Sequence, residues 1–157
     1  MGTEGALVGH ADTQARLGNQ SINESGFWQS LRKKLVPRVY ALKLNLNFVQ
    51  GVPDAWLSGS EQDLWMENKY LKSLPAVIQP EKLLTTLQSQ WLEERYLEGR
   101  HVGVLIGSSE GHVFLEGLSW KGSTISKGDF LARAVSTKDI ANRLIELLGE
   151  IQPPVLK

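Results

Sequence analysis

Gly51-Val52-Pro53-Asp54-Ala55-Trp56-Leu57 and, after a short polar turn, Leu64-Trp65-Met66-Glu67-Asn68-Lys69-Tyr70 decide how this chain folds. Both are apolar runs of strand length, and Ser58-Gly59-Ser60 between them reads as the turn of a hairpin. Strand side chains alternate between faces, so Trp65, Glu67 and Lys69 point one way and Leu64, Met66 and Asn68 the other. Antiparallel pairing around the turn brings Asp54 across from the Glu67–Lys69 end. Two carboxylates and an ammonium then share one small patch of sheet. Such a patch suits a hard divalent cation beside a phosphate, because hard cations take oxygen ligands.

Upstream, Ser21-Ile22-Asn23-Glu24 fits a capping box, and Phe27, Trp28, Leu31, Leu35 and Val36 follow at helical spacing. Arg32, Lys33 and Lys34 gather at the end of that helix, where cations favour the helix dipole, and Pro37 closes it. Residues 38–48 read as a strand, cleanly alternating from Leu42 through Leu44, Leu46 and Phe48, with one face on the core. Downstream, Pro80 and Glu81 suit the first turn of a long helix running through Leu87, Trp91 and Leu92 to Gly99. The continuously apolar Val102–Ile106 is expected to be a central strand, and His112–Glu116 a further one. Residues 117–134 read as a loop or irregular hairpin. Asp139–Leu148 reads as the last helix, capped by Ser136 or Thr137 and ended by Gly149. The expected organisation is an arm over 1–20, a single domain over 21–150 and a tail over 151–157.

Composition sets the limits. A chain of 157 residues, 41% apolar and 22% charged, is long enough for one sizeable core. The absence of cysteine excludes disulfides, thiolate zinc sites and thiol nucleophiles. Seventeen basic and seventeen acidic residues exclude bulk-charge binding of nucleic acid while permitting a local basic surface. No apolar run approaches membrane-spanning length and no secretory leader is legible, so the expectation is a cytoplasmic protein without a membrane partner.

The order α-β-β-β-α-β, with Pro53-Asp54 on one strand and Glu67-Asn68-Lys69 on the next, resembles the PD-(D/E)XK nuclease superfamily. Within it the chain is most similar to the virus-type replication-repair nuclease (VRR-NUC) domain, and also to archaeal Holliday-junction resolvases. Glu24, Gly51-Val52-Pro53-Asp54, Glu67-Asn68-Lys69 and Gln88-Ser89-Gln90-Trp91 carry the likeness, which spans residues 21–116. The resemblance implies a restriction-endonuclease-like α/β fold, a mixed central sheet flanked by helices, with a C-terminal helix added. It implies a metal-dependent endodeoxyribonuclease of replication-repair or homing kind, site-specific or junction-specific, using Mg²⁺ with Mn²⁺ as an alternative. Asp54 and Glu67 would be metal ligands, joined by the Asn68 carbonyl and by Glu24. Lys69 would orient or deprotonate the attacking water, and Gln88 would bind that water or the phosphate. The implied partner is DNA, cut by a homo-oligomer, dimer or tetramer, since one site cuts one strand.

Simpler readings stand beside these. Asp54 can cap its own turn, Glu67 and Lys69 can be an exposed ion pair worth little, and Glu24 can serve only the capping box. Gln88 can be an ordinary polar helix residue. His101 and His112 show no ligand spacing and read as surface or structural histidines. Trp56 and Trp65 can stack on bases, but packing is the commoner use of strand aromatics. Phosphate contacts are sought among Arg32, Lys33, Lys34, Arg38, Lys43, Lys72, Lys121, Lys127 and Arg133. The competing function is a non-catalytic DNA-binding or assembly module of the same fold.

Overall fold

Alternating side chains over residues 55–71 build the centre of the molecule. In the computed structural model, which describes residues 24–46 and 48–152, strands β2 (Ala55–Ser58) and β3 (Asp63–Leu71) pair antiparallel with Ala55 opposite Met66 and Leu57 opposite Leu64. Strand β1 (Tyr40–Lys43) adds antiparallel to the outer side of β2. On the other side β3 pairs parallel with β5 (Val102–Ser108), which pairs antiparallel with β6 (Val113–Glu116). The five-stranded sheet is therefore mixed, in the order β1-β2-β3-β5-β6. A parallel pair needs a crossover, which is the work of helix α2 (Thr86–Leu97) between β3 and β5. β5 is buried at every position, as its continuously apolar text requires of a strand covered on both faces.

Each face of the sheet carries a separate apolar layer. Leu57, Leu64, Met66 and Leu105 pack with Phe27, Trp28, Leu31 and Leu35 of helix α1 (residues 24–35) and with Ile140, Leu144, Ile145 and Leu148 of helix α4 (Thr137–Leu148). Opposite them, Val102, Val104, Ile106, Val113 and Leu115 pack under Leu92 of α2 together with Trp120, Ile125 and Phe130. The end of α4 is tied to the β2–β3 turn, whose Ser60 and Glu61 amides donate to the carbonyls of Gly149 and Leu148 at 2.8 and 2.9 Å. Gly59 is required there, since a Cβ would sit 2.3 Å from the Leu148 carbonyl oxygen. Helix carbonyls without intrahelical partners are thus satisfied by a turn.

Three expectations need correction. The strand expected over 38–48 is only β1, and its core face is Val39 and Ala41. Leu42, Leu46 and Phe48 are exposed, Phe48 almost completely at 99%. The alternation was real but ran on past Lys43, where no described strand continues the ladder. The long helix from Pro80 is two pieces, a 3₁₀ turn (Pro80–Leu83) and then α2, because Thr85 restarts the helix with its own cap. Residues 117–134 hold ordered structure: β7 (Ile125–Ser126) pairs with β4 (Val77–Ile78) in a small second sheet, and helix α3 (Lys127–Arg133) follows, capped by Ser126. The expected arm over 1–20, the Ser21 cap and residues 153–157 of the tail lie outside the described residues.

Leu31 is fully buried between α1 and the sheet. Leu31→Ala is expected to destabilise the fold by about 2–5 kcal/mol in urea denaturation, whereas Phe48→Ser changes it by less than about 0.5 kcal/mol.

Candidate active site

The strand period and the hairpin register together place the acidic residues. Ala55 pairs with Met66 on one side and Lys43 on the other, so Asp54 lies one step beyond the β2 ladder, level with Glu67 and Leu44. Its carbonyl accepts from the Leu44 amide at 2.7 Å, and its carboxylate Oδ2 accepts from the Asn68 amide at 3.1 Å. The approach to Asp54 is held by Gly51, whose φ of 88° is unfavourable for an L side chain. A Cβ there would also lie 2.7 Å from the Leu87 carbonyl oxygen in the first turn of α2. Gly-Val-Pro-Asp therefore docks the acid-bearing segment on the helix.

On β3, Glu67 is 1% exposed, and Lys69 lies on the same face with its Nζ 3.5 Å from Glu67 Oε1. Gln88 joins them from α2. Its Nε2 donates to Glu67 Oε1 at 3.0 Å, while its Oε1 accepts from Lys69 Nζ at 3.3 Å and from the Thr85 amide at 3.0 Å. Thr85 Oγ1 accepts from the Gln88 amide at 3.1 Å, which completes a capping box. The same glutamine side chain thus caps a helix and grips the buried acid. Both halves of its amide are engaged by groups of opposite character, which defines its orientation.

Burial is the main force on Glu67. Desolvation, followed by the charge of Asp54, raises its pKa from the usual carboxylate range to about 8, against the opposing pull of Lys69. Glu67 Oε2 is buried with no hydrogen-bond partner among the described residues. A carboxylate oxygen without a donor beside a second carboxylate is the environment that a divalent cation relieves. Asn68 adds to it: residues of an extended strand direct N–H and C=O to one side, so its carbonyl points where its amide does, towards Asp54 beyond the end of β2. Among the described residues no three His, Asp or Glu side chains converge as a ligand set. A cation would accordingly take Asp54, Glu67, the Asn68 carbonyl and water, which fits the preference of Mg²⁺ for few carboxylates and several waters.

Glu24 is exposed and lines, with Asp54, Asn68, Lys69, Lys43 and Tyr70, a cleft of about 100 Å³ between α1 and the ends of β2 and β3. It is at the cleft mouth, not in the Glu67–Gln88 network. Of the expected phosphate contacts, Lys43 lines this cleft with Asp54. Three of the others are engaged within the chain: Arg38 with Glu150 and Asn142, Lys121 with Glu93, and Arg32 with the Ala41 carbonyl. His101 is exposed. His112 is buried, its Nε2 is 2.9 Å from Thr137 Oγ1, and burial lowers its pKa.

No family profile matches the sequence, and no curated protein is significantly similar to it. Among solved structures the chain is similar to that of Archaeoglobus fulgidus Hjc, a Holliday junction resolvase from an archaeal hyperthermophile. The TM-score is 0.53 at 14% identity, over 76% of this chain and 96% of that one. The likeness is one of fold. The mixed sheet with helices on both faces is the restriction-endonuclease-like arrangement that the Pro-Asp and Glu-x-Lys text led us to expect.

Between pH 4.5 and 8 the folded protein holds a proton on Glu67 that the unfolded chain has released, so stability falls as pH rises through that window and levels above it. In EDTA, the loss is expected to be on the order of a few kcal/mol. Glu67→Gln keeps the shape without the charge and should remove this part of the slope in urea titrations. The contribution of His112 has the opposite sign and is common to both proteins, so the difference between them isolates Glu67.

Proposed function

We propose that the chain is a metal-dependent endonuclease that hydrolyses phosphodiester bonds in DNA. The observation that carries this reading is the meeting of Asp54 with desolvated Glu67 and Lys69, the last two cross-linked by Gln88. A structural ion pair needs neither a second acid nor a buried oxygen lacking a donor. The fold of the resolvase supports the same assignment and favours branched DNA among the possible substrates.

In this reading Asp54 and Glu67, with the Asn68 carbonyl, would hold Mg²⁺ or Mn²⁺, and Glu24 at the cleft mouth would add a ligand or position a second ion. The ion supplies a Lewis acid for the phosphate oxygens and lowers the pKa of a bound water. Lys69, half-exposed and one pleat repeat from Glu67, orients the attacking water and balances the charge that grows on the phosphorus-bound oxygens. Gln88 holds Lys69 and Glu67 in mutual register. Lys43, across the cleft, takes a non-bridging phosphate oxygen. Each site cuts one strand, so a dimer or tetramer is needed to cut two strands together. A replication-repair or homing role and a cytoplasmic setting are consistent with this activity.

The test is cleavage of supercoiled plasmid, linear duplex and a four-way junction in Mg²⁺, Mn²⁺ and EDTA. Cutting should require the metal, vanish in Asp54→Ala and fall by about 10²-fold or more in Lys69→Ala, with circular dichroism unchanged. Mg²⁺ should raise the melting temperature of the wild type and leave that of Asp54→Ala where it was. Binding without cutting, indifferent to Asp54→Ala, would identify a non-catalytic module instead.

A further inference from the structure

A row of large aromatic side chains leads away from the site and has no role in the chemistry above. On the α2 side of the sheet, Tyr40 of β1, Trp56 of β2, Trp65 of β3 and Trp91 of α2 follow one another with ring centroids 5.4, 6.2 and 5.4 Å apart. The guanidinium of Arg95 lies 5.6 Å over the Trp91 ring. Helix α2 covers the β3–β5 part of this face. Over β1 and β2 nothing covers it among the described residues, leaving Tyr40 52% and Leu42 42% exposed and Trp56 half-buried. Trp56 belongs to neither apolar layer. Packing explains Trp65 and Trp91 in part; Trp56 donates its indole N–H to Asp63 Oδ2 at 3.2 Å, but neither it nor Tyr40 belongs to an apolar layer.

The row continues the site. Trp65 stands on the same face of β3 as Glu67, one pleat repeat away, or about 7 Å. Beside it runs a groove of about 720 Å³ lined by Trp65, Trp91, Arg95, Arg100, His101 and Asp63. The charges around this face are mixed. Glu61, Asp63 and Glu98 stand among Arg95, Arg100 and His101, and Arg95 is paired with Glu98 at 3.0 Å. Such a surface does not attract a phosphate backbone, whereas the cleft on the other side of Asp54 presents Lys43 and Lys69. Cations at the cleft and rings on the sheet divide a nucleotide between them: phosphate to one, base to the other. Bases in a duplex hide their faces in the stack, and only unpaired bases offer them to aromatic side chains.

The geometry points to a stacking platform for unpaired nucleobases, formed by Tyr40, Trp56, Trp65 and Trp91, that admits DNA carrying a single-stranded segment next to the cut. This rests on the nuclease reading for the position of the cut, and it narrows the substrate to DNA with unpaired bases there, such as a flap, a gap or an open branch point.

The test separates stacking from cleavage by working in EDTA. The full chain is titrated with a thymidylate oligonucleotide about ten nucleotides long, with an abasic strand of equal length and with a blunt duplex, following tryptophan fluorescence. The thymidylate strand should quench, and the abasic strand should bind roughly tenfold more weakly. Trp56→Ala should weaken thymidylate binding by a similar factor. Equal affinity for thymidylate and abasic strands overturns the proposal without recourse to any variant. So does thymidylate binding unchanged in Trp56→Ala, and if that variant also turns an oligomer into a monomer by sedimentation, the face joins copies of this chain. Quenching without cutting in Mg²⁺ removes the nuclease reading alone; cutting of duplex without quenching removes the platform alone.

Discussion

A carboxyl group placed almost out of reach of water, in the middle of a sheet, constrains everything near it. Glu67 has Met66 on one side and Asn68 on the other along β3, with β5 paired alongside. An isolated charge there would cost several kcal/mol, and the group responds by holding its proton to about pH 8. What surrounds it is what such a group needs: an ammonium at i+2 on the same face and an amide donor from the neighbouring helix. Asp54 is the exception. A second acid beside the first makes ionisation harder, so the pair is relieved by a proton on Glu67 or by a cation between the two. An arrangement selected for stability alone would have replaced one of the two.

Gln88 shows how the constraint reaches the fold. Its carbonyl oxygen accepts from the Thr85 amide and from Lys69, so the start of α2 and the face of β3 share one acceptor. Leu87, the residue before it, presents its carbonyl to Gly51, which allows the chain entering Asp54 to approach. The helix start therefore sets the position of both acid-bearing segments. Neither the capping box nor the glycine can change without moving the carboxylates.

The central part of this arrangement was legible in the sequence because it depends on period and register. Alternation along 64–70 separates Glu67 and Lys69 from Met66, and one hairpin carries Asp54 opposite them. The helix bearing Gln88 was legible, but its start was not. Thr85-x-x-Gln88 is a capping box in plain text, overshadowed by the proline at position 80, which begins only a 3₁₀ turn. The error over 42–48 has another source. Leu42, Leu44, Leu46 and Phe48 alternate as a strand does, yet a pattern of side chains does not reveal whether another layer lies behind it. The ordered segment 117–134 was missed because Ile125 pairs with a strand, Val77–Ile78, far away in sequence, and Phe130 packs into the layer under α2.

Parity on β3 also accounts for what the two faces of the molecule do. Leu64 and Met66 belong to the layer under α1 and α4, and α4 is pinned to the hairpin turn by backbone hydrogen bonds. That face is closed. The other carries Trp65, Glu67 and Lys69 in succession and is roofed by α2 only from β3 outward. β1 and β2 extend past the roof with Tyr40, Leu42 and Trp56 uncovered by any described residue. An apolar extension of this kind adds no support to the core, since Trp56 packs into neither layer. It lies on the same face as the acids and adjoins them through Trp65. The acids and the aromatic row are therefore successive positions of one strand face, and a one-residue slip in the hairpin would send both into the closed layer together.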